Sequence, residues 1–319
     1  MLSINNAGPA LKPRMRSAWR RLVSSRYLIL MALPLIAYYV IFCYIPMYGV
    51  VAAFQDFKIG SGPGRGFFGS PFVGLKHFIR FFNSPTAFRT VKNTLLLGFY
   101  SILWSFPVPI FFALMLNEMA PGKYKKFVQS ISYFPRFISS AVMCGLIIIF
   151  LDPYTGIVNR MIVALGGEST VFLMKSQYFR TVFIFTDVWQ FFGWNSIIYL
   201  AAISSIDPTL YESAEIDGAS RFRKITSITL PCLMPTVVIL LILTLGNLMS
   251  VSFDKVLLLQ NEVTYEVSDV IQTYVYRVGL LRSNYSFGSA VGLLNSVTNC
   301  VLLVTFNFLS NKLTKISLF

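Results

Sequence analysis

The sequence predicts an all-α integral membrane protein with six transmembrane helices and both termini in the cytoplasm. Three observations carry this expectation. Hydrophobic residues make up 55% of the 319 residues and charged residues 13%, against about 25% charge in a soluble domain. So few charges cannot cover a water-facing surface. Six apolar stretches reach the roughly 20 residues that a helix needs to cross a bilayer. The basic residues gather in segments that six crossings would place on one side.

The spans cover Leu28–Phe54, Thr94–Leu116, Phe127–Leu151, Thr181–Ile203, Thr236–Leu258 and Gly288–Leu309. Residues 1–27 form a basic cytoplasmic segment holding Lys12, Arg14, Arg16, Arg20, Arg21 and Arg26 and no acid. The apolar run behind it is too long for a cleaved signal peptide. Lys123, Lys125 and Lys126 lie between spans two and three, Arg221, Arg223 and Lys224 between four and five, and Lys312 and Lys315 in the tail. These four cytoplasmic segments contain 14 of the 27 basic residues. The net charge of +14 is therefore mainly topological, and no nucleic-acid partner is needed.

Several chemistries are excluded. His77 is the only histidine, so no multi-histidine metal site or proton relay is available. Cys43, Cys144, Cys232 and Cys300 sit in or beside apolar runs, without a CxxC, and read as buried small hydrophobes, not as a disulfide framework or a metal site. The first outward loop, from about Gln55 to Val91, opens on Gly60, Gly62, Gly64, Gly66 and Gly69. No GxxxxGK[ST] occurs in the chain, so this reads as a flexible external loop and not as a nucleotide site.

The loop between spans four and five is the most ordered in pattern. Asp207 is a good N-cap and Pro208 suits the first helical position. Gly218 can take the positive φ of a helix C-terminus. Ser220 then caps a second short helix through Arg221–Thr229, and Pro231 and Pro235 mark the entry to span five. Two capped helices with a glycine between them make a rigid knob suited to docking.

These residues resemble the cytoplasmic signature of binding-protein-dependent ABC importer permeases: Glu-Ala-Ala, three residues, Gly, nine residues, Ile-x-Leu-Pro. Here it stands as Glu212-Ser213-Ala214, Gly218, and Ile228-Thr229-Leu230-Pro231. The spacing matches throughout, and Ser213 replaces the usual alanine. Asp187-Val188-Trp189-Gln190, Gly193-Trp194, Ser196 to Ala202, Ser268 to Ile271, Thr273 to Tyr276 and Ala290 to Leu294 extend the likeness. They resemble the carbohydrate-uptake permeases of the oligosaccharide and polysaccharide-fragment branch, from about residue 18 onward. The resemblance implies a MetI-like permease domain over residues 28–319 in a bacterial cytoplasmic (inner) membrane, with an ATPase-coupling loop at 207–231. It implies a second homologous permease, two ATPase subunits and a periplasmic or other external solute-binding protein as partners, with an oligosaccharide as cargo. ATP and Mg would sit on the ATPases, and this chain would bind no cofactor or metal. Glu212, Ser213, Ala214, Gly218, Ile228, Leu230 and Pro231 carry over as the docking motif. Arg221 either belongs to that motif or only obeys the positive-inside rule.

Polar residues within spans are costly and therefore informative. Asp187, Gln190 and Trp194 share a face of span four, bordered by Asn195. Asn247, Ser250 and Asp254 repeat that spacing in span five, and Gly292, Asn295 and Asn299 form a third stripe in span six. Together they suit a sugar path, since amides and carboxylates bind hydroxyls and aromatic faces stack on sugar rings. Individually such residues also serve to join helices.

Arg136 sits about six residues, roughly 9 Å, into span three. Asp187 is too far along the membrane normal to pair with it. Arg136 either snorkels to the interface or faces the cavity and attracts an anionic, uronate-containing oligosaccharide. A stand-alone secondary transporter or channel is the alternative to the importer subunit; no inverted repeat supports it. A membrane enzyme would need a carboxylate pair, and only Glu262, Glu266 and Asp269 cluster.

Overall fold

The computed structural model describes residues 26–60 and 65–318. Lys12 to Arg21 of the basic segment, and Gly62 and Gly64 of the glycine run, lie outside the described residues. The chain divides into two compact units, Met1–Val51 and Ala52–Phe319.

The described part of the first unit is helical. Helix α1 (Arg26–Tyr39) passes into a π turn at Val40–Tyr44 and then Ile45–Met47. The amide of Ile45 reaches back to the carbonyl of Val40. This wider turn gives the Pro46 ring room where an α turn would bring it against a carbonyl.

The second unit is a helical bundle. Its main helices are α2 (Lys76–Phe82), α3 (Pro85–Ser105), α4 (Pro107–Glu118), α5 (Lys123–Tyr133), α6 (Ser140–Phe150), α7 (Ile157–Ala164), α8 (Ser176–Ser204), α9 (Pro208–Ile216), α10 (Leu230–Gly246), α11 (Phe253–Leu259), α12 (Ile271–Val275) and α13 (Tyr285–Thr314). Helix α8 is central and packs against α3, α4, α5 and α10. The core lies around it, with Phe179, Phe183, Leu97, Val256 and Val270 in one cluster.

The basic segments share one end. Ala113 of α4, Tyr199 and Ile203 of α8, and Leu233 of α10 pack together. Helix α13 runs antiparallel to α10, with Gly246 against Leu303. The Lys123 segment, the 207–231 loop and the Lys312–Lys315 tail therefore meet at the same end, as their charge requires.

Among the described residues, four continuous helices are long and apolar enough to cross a bilayer: Tyr27–Phe54, Pro85–Glu118, Arg221–Gly246 and Tyr285–Thr314. The expected third span is broken. Lys123–Phe137 and Ser140–Phe150 meet at 103°. Pro135 has no amide to continue the ladder, and the side chain of Ser139 caps α6 by accepting from the Val142 amide at 3.3 Å. Arg136 thus sits on the 3-10 turn Phe134–Phe137 at a corner, not within a straight helix. The expected fourth span, α8, is 29 residues long but polar along one side.

Span five is displaced from Thr236–Leu258. A helix runs from Arg221 through a π turn at Ile225–Thr229 and stops at Gly246. Pro231 stands in the first turn of α10, where the preceding π turn leaves room for its ring, as at Pro46. Asn247 and Ser250 therefore lie past the helix end, and Asp254 belongs to α11, so the three do not share one helical face.

The Gln55–Val91 loop is folded where it is described. Gln55 pairs with Phe72, the amide of Phe57 donates to Ser286 of α13 at 2.7 Å, and Lys76 reaches Asp56 at 2.6 Å. The Lys76 ammonium holds the Asp56 carboxyl below its usual range. Across the bundle, α8 meets α5 closely at Gly193, where any side chain would strike the carbonyl of Ser132. Gly193→Val should overpack this crossing and lower stability by about 1–3 kcal/mol, read as a fall in the thermal unfolding midpoint of the purified protein.

Candidate functional site

Two features stand out, one at each end of α10. The first is the 207–231 loop. The Asp207 carboxylate accepts from the Thr209 amide at 3.0 Å and starts α9. That bond holds its pKa below the usual carboxylate value. The helix ends with Gly218 at φ 73°. The Gly218 amide donates to Glu215 and the Ala219 amide to Ala214, at 3.0 and 2.8 Å. This is the paired closure that a glycine C-terminus provides. Ser220 accepts from the Arg223 amide at 3.3 Å. Lys224 then bridges to Glu215 at 2.6 Å and depresses the Glu215 pKa, tying the two short helices together. Ser213 fits where alanine is usual because its hydroxyl returns to the Thr209 carbonyl at 2.6 Å.

Glu212 and Arg221 are exposed, and Ala214 is half-buried. Ile216 is 88% and Phe222 75% exposed, so large apolar side chains project from the knob. Thr229, beside Ile228 and Leu230, is buried and shares a hydrogen bond with Tyr211 at 2.9 Å. Ile228, Leu230 and Pro231 fall where the loop becomes α10.

The second feature is a cavity of about 360 Å³ at the far end of α10. Ser101 and Ser105 of α3, Asp187, Asn195 and Tyr199 of α8, and Asn247, Leu248 and Ser250 to Ser252 line it. The chain is not helical between α10 and α11. Irregular backbone within a bundle of membrane-spanning helices is tolerated where it borders protein or a wet cavity. Here both hold. The Met249 amide donates to Asn299 Oδ1 at 3.0 Å, and Gln272 donates to the Met249 carbonyl at 2.6 Å. Asn247 and Ser250 are exposed to the cavity.

The predicted path residues separate accordingly. Asp187, Asn195, Asn247 and Ser250 line the cavity. Gln190 is 2% exposed and donates to the Ile138 carbonyl at 2.8 Å, capping the broken third span. Trp194 packs edge-on against Phe137 of that corner. Asn299 holds the α10 break through Met249 and Ser250. Asn295 lies on α13 outside the cavity lining, its side-chain oxygen buried. Arg136 is exposed and stacks on Phe191, 5.0 Å from the ring centre. Among the described residues it makes no ion pair.

The cation that Asp187 does pair with is Lys255 of α11, at 2.7 Å. The Lys255 side chain is 1% and that of Asp187 17% exposed. Ser105 donates to the other carboxylate oxygen at 3.1 Å, and Phe191 lies 4.2 Å below the ammonium. Sequence reasoning missed Lys255. The available signal was the cost of charge in a span: a lysine inside the apolar run 248–259 demands a carboxylate, and Asp187 demands a cation. Removing one partner from a buried pair costs about 3–5 kcal/mol, while replacing both can be nearly neutral. Asp187→Asn and Lys255→Met should therefore each lower thermal stability strongly, and the double variant should recover most of the loss. Additive losses in that double-mutant cycle would contradict the pairing.

Residues 84–315 match the family described as "Binding-protein-dependent transport system inner membrane component". A Bacillus subtilis (strain 168) relative, the polygalacturonan/rhamnogalacturonan transport system permease protein YteP, is 42% identical over 292 residues, covering 92% of this chain and 90% of the relative. A crystal structure of a bacterial ABC transporter involved in importing the acidic polysaccharide alginate contains a similar chain. It matches with a TM-score of 0.85 and 41% identity, covering 93% of this chain and 99% of that one. The same match, at TM-score 0.85 and 41% identity over 94% of this chain and 99% of that one, is found for a bacterial alginate transporter in complex with a periplasmic protein bound to an alginate pentasaccharide. A capped surface loop, a polar cavity at a broken helix and these likenesses agree: the chain belongs to the family of inner-membrane components of binding-protein-dependent transport systems.

Proposed function

We propose that this permease imports acidic oligosaccharides, of the uronate-containing kind, handed over by an external solute-binding protein and driven by ATP hydrolysis on separate ATPase subunits. A second permease completes the path. One observation carries the reading of how it works. A single helical stretch, Arg221–Gly246, joins the capped knob to the broken segment that borders the cavity. The knob, with Glu212, Ala214 and Gly218 in the signature positions and Ile216 and Phe222 exposed, is suited to sit in a cleft of an ATPase. The cavity offers what sugar hydroxyls need: amides at Asn195 and Asn247, hydroxyls at Ser101 and Ser250, and the Asp187 carboxylate. The acidic character of the cargo is supported by the relatives named for polygalacturonan/rhamnogalacturonan transport and for alginate import.

Reconstitution in vesicles with the binding protein and ATPases tests this. Oligogalacturonides should enter in an ATP-dependent manner, and neutral oligosaccharides of equal length should not. Equal uptake of both, or uptake without ATP, would overturn the reading. The docking role is separately testable. Proline at position 218 cannot reach φ 73° and removes the amide bonded to Glu215. Gly218→Pro should abolish ATPase stimulation by the loaded binding protein while leaving the chain inserted. Glu212→Lys should weaken the same stimulation; unchanged stimulation in both would refute docking.

A further inference from the structure

A second concavity, of about 340 Å³, lies at the opposite end of the bundle from the 207–231 loop. Thr86 near the start of α3 and Phe287 near the start of α13 mark that end. Three guanidiniums line it: Arg80 of α2, Arg277 of the π turn Tyr276–Leu281, and Arg282 at the end of that turn. Ser84 adds a hydroxyl.

The charges do not balance. Asp269 is fully buried and pairs with Arg277 at 2.5 Å. Among the described residues, no carboxylate lies within ion-pair distance of Arg80 or Arg282. Three cations and one anion leave two positive charges in a concave site. Low-dielectric walls focus such a field and raise the local concentration of anions.

Two of the guanidiniums are also held in place. Arg80 lies 5.3 Å from the Phe287 ring centre, and Arg277 lies 4.7 Å from Tyr265 and 5.9 Å from Tyr274. A guanidinium stacked by its face keeps its N–H edge for an in-plane acceptor, and carboxylate matches that fork. The opposite end of the bundle is basic too, but its Lys and Arg sit in segments explained by topology. No such rule places arginines on the outward side.

We propose that this pocket binds a carboxylate of the incoming oligosaccharide, as a first subsite at the outward mouth before the sugar reaches the central cavity. This rests on the acidic-cargo reading above. Asp269 presets Arg277 and keeps the site from holding its ligand too tightly for onward movement. Arg80 and Arg282 supply the uncompensated charge.

The test uses the assembled transporter, with both permeases and the ATPases, in phosphatidylcholine nanodiscs without the binding protein. Binding of trigalacturonate is measured by calorimetry. Losing charge-assisted hydrogen bonds in Arg80→Gln/Arg282→Gln should weaken binding by about tenfold or more. Arg80→Lys/Arg282→Lys should retain part of it, and thermal unfolding and basal ATPase rate should match wild type. Unchanged trigalacturonate affinity in the Gln pair, with wild type importing uronates, would overturn the pocket alone. Wild type that imports neutral sugars and rejects uronates would overturn the acidic-cargo reading, and the pocket with it. Two further results would reassign the pocket and so overturn the proposal. One is an effect seen only when anionic lipid is added to the nanodisc. The other is weakened docking of sugar-free binding protein with sugar affinity intact.

Discussion

A helix that stops inside an apolar bundle leaves backbone groups that must find partners, and much of the second unit is arranged to supply them. Once α10 ends at Gly246, Asn299 of α13 takes the Met249 amide and Gln272 supports the Met249 carbonyl. Asn299 also donates to Ser250 at 2.8 Å. The break thereby draws α13 and the segment around α12 into fixed positions. An unpartnered polar group away from water costs several kcal/mol in hydrocarbon. That cost explains why side-chain amides appear on otherwise apolar helices at these depths.

The same economy separates two uses of polar residues. Gln190 and Asn299 repair interrupted backbone, at the corner of the third span and at the end of α10. Asn195, Asn247 and Ser250 face open space. Spacing along a helix cannot distinguish these roles, because both require a polar residue on an inward face. Only the position of the break decides, and the breaks were obscured by hydropathy. Leu248, Val251 and Val256 to Leu259 continue the apolar run beyond Gly246, so hydropathy gives one long span where the chain divides into a helix, a turn and α11.

The 207–231 loop was legible almost residue by residue, since caps are local chemistry. Asp207, Gly218 and Ser220 each perform the role that their type dictates. Pro231 marks the start of α10, as its fixed φ suits, and the π turn before it leaves room for the ring. Lys255 was hidden by averaging: one cation among leucines and valines hardly changes a hydropathy window, yet it fixes the partner of Asp187. Pairing charges across spans before drawing the spans would have found it.

The π turn at Ile225–Thr229 has a mechanical consequence. Had Pro231 broken the chain, the knob would hang from a hinge, and its motion would dissipate there. With the helical path unbroken, although Pro231 and Pro235 contribute no amide bonds, Arg221 and Gly246 are ends of one helical stretch of about 39 Å. Rotation imposed at the knob then appears at the cavity wall as a lateral stroke, scaled by the distance of each end from the pivot. The contacts of α10 with α8 and α13 are the natural bearing, so the packing beside Leu233 and Gly246 sets how far a displacement at the loop shifts the residues that border the cavity.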